Sequence, residues 1–492
     1  MFERAAPESI GIPSGSILNF VKCLDDYKMH THSIFMARGD KCVAECYYKP
    51  FHRDFLHRMY SVSKSFVAVA TGLAVTEGLF SMDDVIVEYF PEFRNENVDE
   101  FHEACTIRDM LCMSSNVGTG VAWWGRFQSR VEAYYSQKTS KIPGTMFFYD
   151  SIGSFLLGCM IEKLTGKTFL EYLKEKVLLE IGFSKDSFTL KEPGGFTVGD
   201  SGVMCTARDL ALFARFIMNR GSWNGKQYID RNFMEEAIRV QSVNNLDGSI
   251  DFYDTRGYGY LIWITHPDGF SLVGMGDQLA VCDMKKDFLF VITSDNQANR
   301  AARHIIYHEL YRNLIPAIAE APLPPDPEAF EALRAYLESR ELVAAKGTKN
   351  VPLAGRVSGV HYTAGPNPLG IGGFRLRLSD EEGVLELEKD GKVFRVEFAL
   401  CRNKQTQFSF GDRPVLDMMG RNEPGEYQCA ASAAWADEKT FSVMVQVIDT
   451  YFGCLNVHVG FGEDCATLLF KKSGQYVFDG IEGNVICFKD KE

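Results

Sequence analysis

Two short apolar runs open the chain, Ser33-Ile-Phe-Met-Ala37 and Cys42-Val-Ala-Glu-Cys46, with Arg38-Gly-Asp-Lys41 between them. Strand-like runs split by a tight polar turn predict a β-hairpin. Residues 62–78 change character: small and apolar side chains dominate on every face, which predicts a buried helix closed by Gly78. From about 79 to 240 the pattern is mainly helical, as in Ile152–Leu164 and Ala207–Met218, with Gly, Pro and Asn turns between. Strand character returns in Tyr258–Ile264, Phe270–Val273, Gln278–Cys282 and Phe288–Thr293, and a helix follows over roughly 298–312. The simplest closed arrangement is one sheet built from both ends of this segment, with a helical lobe inserted between them.

Pro322, Pro324, Pro325 and Pro327 break that pattern, because proline stops both helices and sheet pairing. A charged, Ala-rich helix is expected over about 328–345. Beyond 355 the texture is of short alternating runs: Phe374–Leu378, Val384–Leu387, Val393–Phe398, Phe441–Val447 and Cys454–Val459. Closely spaced short strands predict a separate antiparallel barrel or sandwich. The fold class is therefore α+β, with a first domain over 1–318, a Pro-rich and helical linker over 319–354, and a β domain over 355–492. No fixed-period repeat or low-complexity tract interrupts this division.

Composition narrows the function classes. A chain of 492 residues with 46% hydrophobic and 24% charged residues is an ordinary globular protein of more than one domain. Its net charge of −13 argues against a nucleic-acid partner, which would require clustered Lys and Arg. The start, MFERAAPESIGIPSGS, lacks the basic-then-apolar plan of a signal peptide, and no run of about 18 apolar residues predicts a membrane span. The 13 cysteines are scattered and form no CxxC, so they read as reduced core thiols of a cytoplasmic protein, with no metal site expected.

The chemistry concentrates in Met59-Tyr-Ser61-Val-Ser-Lys64-Ser-Phe66, a Ser-x-x-Lys at the start of the apolar helix. A serine hydroxyl is a poor nucleophile until a neighbour accepts its proton. Three helical residues put Lys64 on nearly the same face as Ser61. The helix start also aims N–H groups at any oxyanion formed there. About 1–2 such matches arise by chance in a chain of this size, and a capping serine with a solvated lysine would look the same. The apolar surroundings favour a buried lysine.

The segment resembles the class C β-lactamase-like serine hydrolases, relatives of the penicillin-binding proteins. The likeness extends through Thr106-Ile-Arg-Asp-Met-Leu111, Pro143-Gly-Thr-Met-Phe-Phe-Tyr149, Gly153–Gly166, Thr206-Ala-Arg-Asp-Leu210, Gly257-Tyr-Gly-Tyr260 and Gly274-Met-Gly-Asp-Gln278. It covers roughly residues 5–315. It implies an antiparallel sheet flanked by helices, with Ser61 as nucleophile and Tyr149 sharing its proton with Lys64. The family's Tyr-x-Asn reads Tyr149-Asp150-Ser151 here. Ser151 can hydrogen-bond but offers no amide to a substrate carbonyl.

The Lys-Thr-Gly or His-x-Gly motif reads Leu272-Val273-Gly274, without the cation that holds a substrate carboxylate. The resemblance then places the second oxyanion donor at Met275 N–H, between Gly274 and Gly276. These departures point away from β-lactams and towards esters or amides. Asp150 and Asp277 also hint at an amine-bearing substrate. At the C-terminus, Ser358–Tyr362 and Asn367–Ile371 look like the lipocalin-like barrel appended to some relatives, whose role stays open.

Other motifs carry less. Gly199-Asp-Ser201-Gly202 mimics a chymotrypsin-like serine segment but precedes a helix, and no Gly-x-Ser-x-Gly elbow occurs. His304 and His308 lack a third metal ligand. Trp123-Trp124 could line a pocket rim or anchor the helical lobe. The expectation is a cofactor-free acyl-enzyme hydrolase for a small molecule or short peptide, with no nucleic-acid or membrane partner and homo-oligomerisation left open. A D-amino-acid peptidase or β-lactamase, and an idle ligand-binding sensor on the same scaffold, are the alternatives.

Overall fold

The structure, a computed structural model, describes residues 2–118, 129–192, 194–245, 253–410, 426–475 and 477–490. The chain divides between residues 341 and 342 into two compact units. Among the described residues no helix is long and apolar enough to cross a membrane, and no group of His, Cys, Asp and Glu could hold a metal ion. Trp123-Trp124 lies outside the described residues.

The first unit is built on a seven-stranded sheet in the order Glu3–Arg4, Lys41–Tyr47, Thr31–Arg38, Phe288–Ser294, Gln278–Asp283, Gly269–Gly274 and Trp263–His266. The expected hairpin forms its beginning. Antiparallel pairing of Phe35 with Val291 joins the hairpin to strands from the far side of the helical lobe. Alternation along the strands divides the side chains between two cores. Phe35, Ala37, Phe270, Leu272, Leu289 and Val291 face the lobe. Ile34, Met36, Val273, Phe288, Phe290 and Ile292 face the helices Ser14–Asp26, Ala302–Glu309 and Pro327–Glu338.

The helix Val62–Thr76 is buried without interruption from Val62 to Ala74, as its lack of a polar stripe requires. It packs on the helix Ala207–Met218 through stacked rings of Phe66 and Phe213, 3.7 Å between centroids. Helix Ile152–Thr165 matches its sequence expectation to within a residue.

Two expectations were too long. The strand foreseen over Tyr258–Ile264 starts only at Trp263, because Leu261 turns through φ +53° and Gly259 lies against the Ala237 carbonyl. The helix foreseen to 345 stops at Glu338. There Arg340 folds back to donate to the Tyr336 carbonyl and to Asp25.

A short strand, His57–Arg58, pairs with Met204–Cys205 and delivers the chain to Ser61. His57 Nδ1 lies 2.9 Å from the Arg58 carbonyl, which can only accept, so Nδ1 carries the proton. His57 Nε2 therefore accepts from His32 Nδ1 at 2.8 Å. Both rings are buried, and Phe51 stacks on His32 at 4.1 Å. Burial holds the His57 imidazole down to about 3, and burial with the neighbouring His57 holds His32 well below its ordinary range.

The second unit is a closed barrel of nine strands. Eight antiparallel neighbours run around it, and a parallel pairing of Ala399–Leu400 with Ser432–Ala433 closes the ring. Strand Lys404–Phe408 pairs along the remainder of Tyr427–Trp435, outside that ring. Aromatic rings fill the interior: Tyr362 stacks on Phe374 at 4.9 Å, and Trp435 meets Phe441 at 5.1 Å.

The histidine pair makes the fold sensitive to acid. Both groups titrate lower when folded than the ordinary 6.5, so the unfolded chain binds their protons first as pH falls. The stability they confer is complete above pH 6.5 and erodes below it, down to about pH 3 for His57. The expected limiting slope is about 1.4 kcal/mol per pH unit for each histidine. Between pH 7.5 and 5 the melting temperature should fall less in the double variant His32→Gln, His57→Gln than in the wild type, a difference that removes the opposing contribution of raised carboxyls such as Glu192 and Asp295. Equal slopes in the two proteins would contradict the assignment.

Candidate active site

Met59 N–H donates to the Val203 carbonyl at 2.9 Å, and Tyr60 then takes a left-handed conformation, φ +46°. Tyrosine rarely adopts that conformation, and such strain concentrates at functional sites. Tyr60 is fully buried, with the Arg58 guanidinium 4.9 Å from its ring. The bend presents Ser61 as the N-cap residue of the helix. Val62, Ser63 and Lys64 N–H groups donate to the carbonyls of Met59, Tyr60 and Ser61. The Ser61 N–H stands one position ahead of the first of these, where a helix leaves its donors unsatisfied.

Lys64 is 1% exposed. Its Nζ lies 3.1 Å from Ser61 Oγ and donates to the Asp200 carbonyl at 2.9 Å. Its third neighbour is the ring of Tyr149, 5.2 Å to the centroid. Tyr149 is 36% exposed and packs beside Trp263 at 5.4 Å and Tyr258 at 6.4 Å. Tyr258 is wholly buried, and burial with the neighbouring Tyr149 pushes its phenol well above the ordinary range. It is a wall of the site rather than a proton carrier.

Ser151 begins the helix Ile152–Thr165, and its carbonyl accepts from Ser154 Oγ. The capping task falls to Asp150, whose Oδ1 accepts from Ile152 and Gly153 N–H while Oδ2 accepts from Ser115 Oγ. Asp277 is likewise occupied, by Arg303 Nε at 3.1 Å, and Arg303 reaches on to Asp254 at 2.8 Å. Both carboxylates hold the fold together. The amine-bearing substrate they hinted at in the sequence loses its support.

The strand Gly269–Gly274 ends beside the turn that carries Ser61. A Cβ on Gly274 would lie 2.4 Å from the Met59 carbonyl oxygen, so only glycine allows this approach. The turn Met275-Gly276-Asp277 continues through φ +75° at Gly276 and +65° at Asp277. Gln278 fixes it, donating to the carbonyls of Met275 and Ser294 at 2.9 and 2.6 Å. Leu272 is fully buried in the same core as Met59 and Val62, and no cation stands in its place.

Sequence reasoning missed Asp200 and Arg130. Asp200 belongs to Gly199-Asp-Ser201-Gly202, set aside as a misleading serine motif. It enters the site through its main chain. Its carboxylate forms an ion pair with Arg130 at 2.8 Å, with the two side chains 2% and 4% exposed.

Residues 18–310 match the Beta-lactamase family. The chain belongs to the beta-lactamase family. This agrees with the resemblance carried by the motifs from Ser61 to Gln278. The chain is 24% identical over 268 residues to the 6-aminohexanoate-dimer hydrolase of Paenarthrobacter ureafaciens, covering 50% of this chain and 67% of that protein. It is 26% identical over 172 residues to esterase EstB of Burkholderia gladioli, covering 30% of this chain and 43% of that one. A solved structure described as a candidate 6-aminohexanoate-dimer hydrolase from Bacillus anthracis superposes with a TM-score of 0.53. It shares 19% identity and covers 66% of this chain and 88% of its own, a likeness of fold.

The close approach at Gly274 gives a direct test. Gly274→Ala should destabilise the first unit by roughly 1–3 kcal/mol, the usual cost of forcing atoms into packed structure. Gly15→Ala, in the helix Ser14–Asp26 with open space at its Cβ, should be neutral or slightly stabilising. Chemical denaturation of the two variants measures both. Equal stabilities would contradict the contact.

Proposed function

We propose that this chain is a serine hydrolase acting through an acyl-enzyme on an ester or amide, with weak turnover of β-lactams. The observation that carries the reading is the buried Lys64 Nζ at 3.1 Å from Ser61 Oγ, beside Tyr149. Ser61 Oγ attacks the substrate carbonyl carbon, and its proton passes to the Lys64–Tyr149 pair. The oxyanion forms against the N–H groups of Ser61 and Met275, the latter set by the Gly274–Gly276 turn. Collapse expels the alcohol or amine, which takes the proton back. A water molecule, deprotonated by the same pair, then releases the acid and restores Ser61.

Two features support esters and amides over β-lactams. Leu272 occupies the position where the resemblance expects a cation for a substrate carboxylate, and it is sealed in the core. Ser151 supplies no amide for an acyl side-chain carbonyl. Relatives named a 6-aminohexanoate-dimer hydrolase and an esterase accord with this preference, while another of similar identity is named a beta-lactamase.

Ser61→Ala should abolish hydrolysis of p-nitrophenyl esters while leaving the melting temperature within a few degrees. Persistent hydrolysis in the purified variant would remove Ser61 from the mechanism. A fluorophosphonate probe should label the wild-type chain at Ser61, whereas an idle binding protein would stay unlabelled. With nitrocefin, the wild type should turn over slowly beside its best ester substrate; a faster rate would overturn the reading of the third motif.

A further inference from the structure

The bond from Lys64 to the Asp200 carbonyl depends on how residue 200 is held. Asp200 sits in a tight turn in which Gly202 N–H donates to the Val198 carbonyl at 2.7 Å. A Cβ on Gly202 would lie 2.7 Å from that carbonyl oxygen, and one on Gly199 would lie 3.1 Å from the Ser154 carbonyl oxygen. The turn is therefore pressed against the helix Ile152–Thr165. The Asp200 carboxylate pairs with Arg130. The Arg130 guanidinium is itself fixed, with its carbon 4.1 Å from the centroid of the buried Phe155 ring.

We propose that the buried Arg130–Asp200 pair is a positioning device for Lys64. The side-chain bond pins the main chain whose carbonyl holds Nζ, and the Arg130 charge offsets the Asp200 charge that lies close to Nζ. The proposal rests on the hydrolase reading given above. It goes beyond that reading in giving two residues that never touch substrate a role in setting the nucleophile's base.

The electrostatics of the surroundings agree. Burial pushes the Asp200 carboxyl up, but Arg130 and Lys64 together hold it below its ordinary range, so the carboxylate is charged. Other ionisable groups also lie around the pair. Tyr149 faces Lys64 from the solvent side. Burial pushes the Cys159 thiol well up, and it stays neutral. Glu162 is taken by the N–H and hydroxyl of Thr197. Glu192 lies beside the Arg130 N–H and Ser129 Oγ, and burial raises it to about 7 against the pull of Arg130. Arg130 is the stronger of the two cations, with Lys64, that act on Asp200.

The pH dependence of fluorophosphonate labelling of Ser61 in the full chain tests this. In Asp200→Asn, Arg130 loses its closest counter-charge, and the surroundings of Lys64 gain positive charge. The acid limb of the labelling rate should move to lower pH by about one unit. Arg130→Lys keeps the charge but loses the flat fork that spans ring and carboxylate. It should keep the wild-type limb and label roughly fivefold or more slowly. A residue that merely supports the fold would change rate or stability without moving the limb in Asp200→Asn.

An unmoved or raised limb in Asp200→Asn overturns the proposal. If that variant fails to fold, Arg130→Lys decides, and labelling at the wild-type rate overturns it. Absence of any Ser61 labelling in the wild type overturns the hydrolase reading and this proposal together. Normal wild-type labelling with unaltered variants overturns the proposal alone.

Discussion

An amine buried to 1% exposure has to find its hydrogen-bond acceptors inside the protein. Lys64 has two, the Ser61 hydroxyl and the Asp200 carbonyl, and much of the first unit is arranged to bring them to it. Ser61 arrives through a strained bend at Tyr60, held by the short strand His57–Arg58. Asp200 arrives through a turn that leaves no room for a side chain at Gly202 and little at Gly199. The strand ending at Gly274 closes the third side, with its backbone against the Met59 carbonyl. A change at any of these contacts would be felt at Nζ.

The two cores divide the labour. The lobe-facing core surrounds the helix Val62–Thr76 with close-packed rings such as Phe66 on Phe213, so the base of the site is rigid. The mouth is different. Tyr149 is partly in solvent, backed by Trp263 and Tyr258, so the group that would meet substrate is also the one with most freedom. That gradient, from fixed main chain to a half-exposed phenol, suits a reaction in which only the proton carrier and the leaving group need move.

Much of this was legible in the sequence for physical reasons. Ser61 and Lys64 are three residues apart on a helix without a polar face, so their juxtaposition follows from helical geometry alone. The sheet joining both ends of the first unit follows from the return of strand character after the helical lobe. Tyr149 required a family resemblance, since nothing local brings residue 149 to residue 64. Asp200 was illegible because it acts through a carbonyl that every residue has, and Arg130 because its partner lies 70 positions on. The acidic residues of the motifs misled for the converse reason. Asp150 and Asp277 have the chemistry of amine binders, but backbone N–H groups and Arg303 already occupy them.

The central strand pair has a bearing on how the molecule is made. Ser33 and Thr293 hydroxyls meet at 2.6 Å although they are 260 positions apart in the chain. Closing so long a loop costs entropy before any contact repays it, and sheets of such high contact order form slowly. During synthesis the hairpin and the buried helix Val62–Thr76 emerge while the strands that cover them are still to be translated. The emerging half-molecule therefore exposes an unpaired strand edge and an uncovered helix until the ribosome has passed residue 294, an interval in which a chaperone has the most to protect.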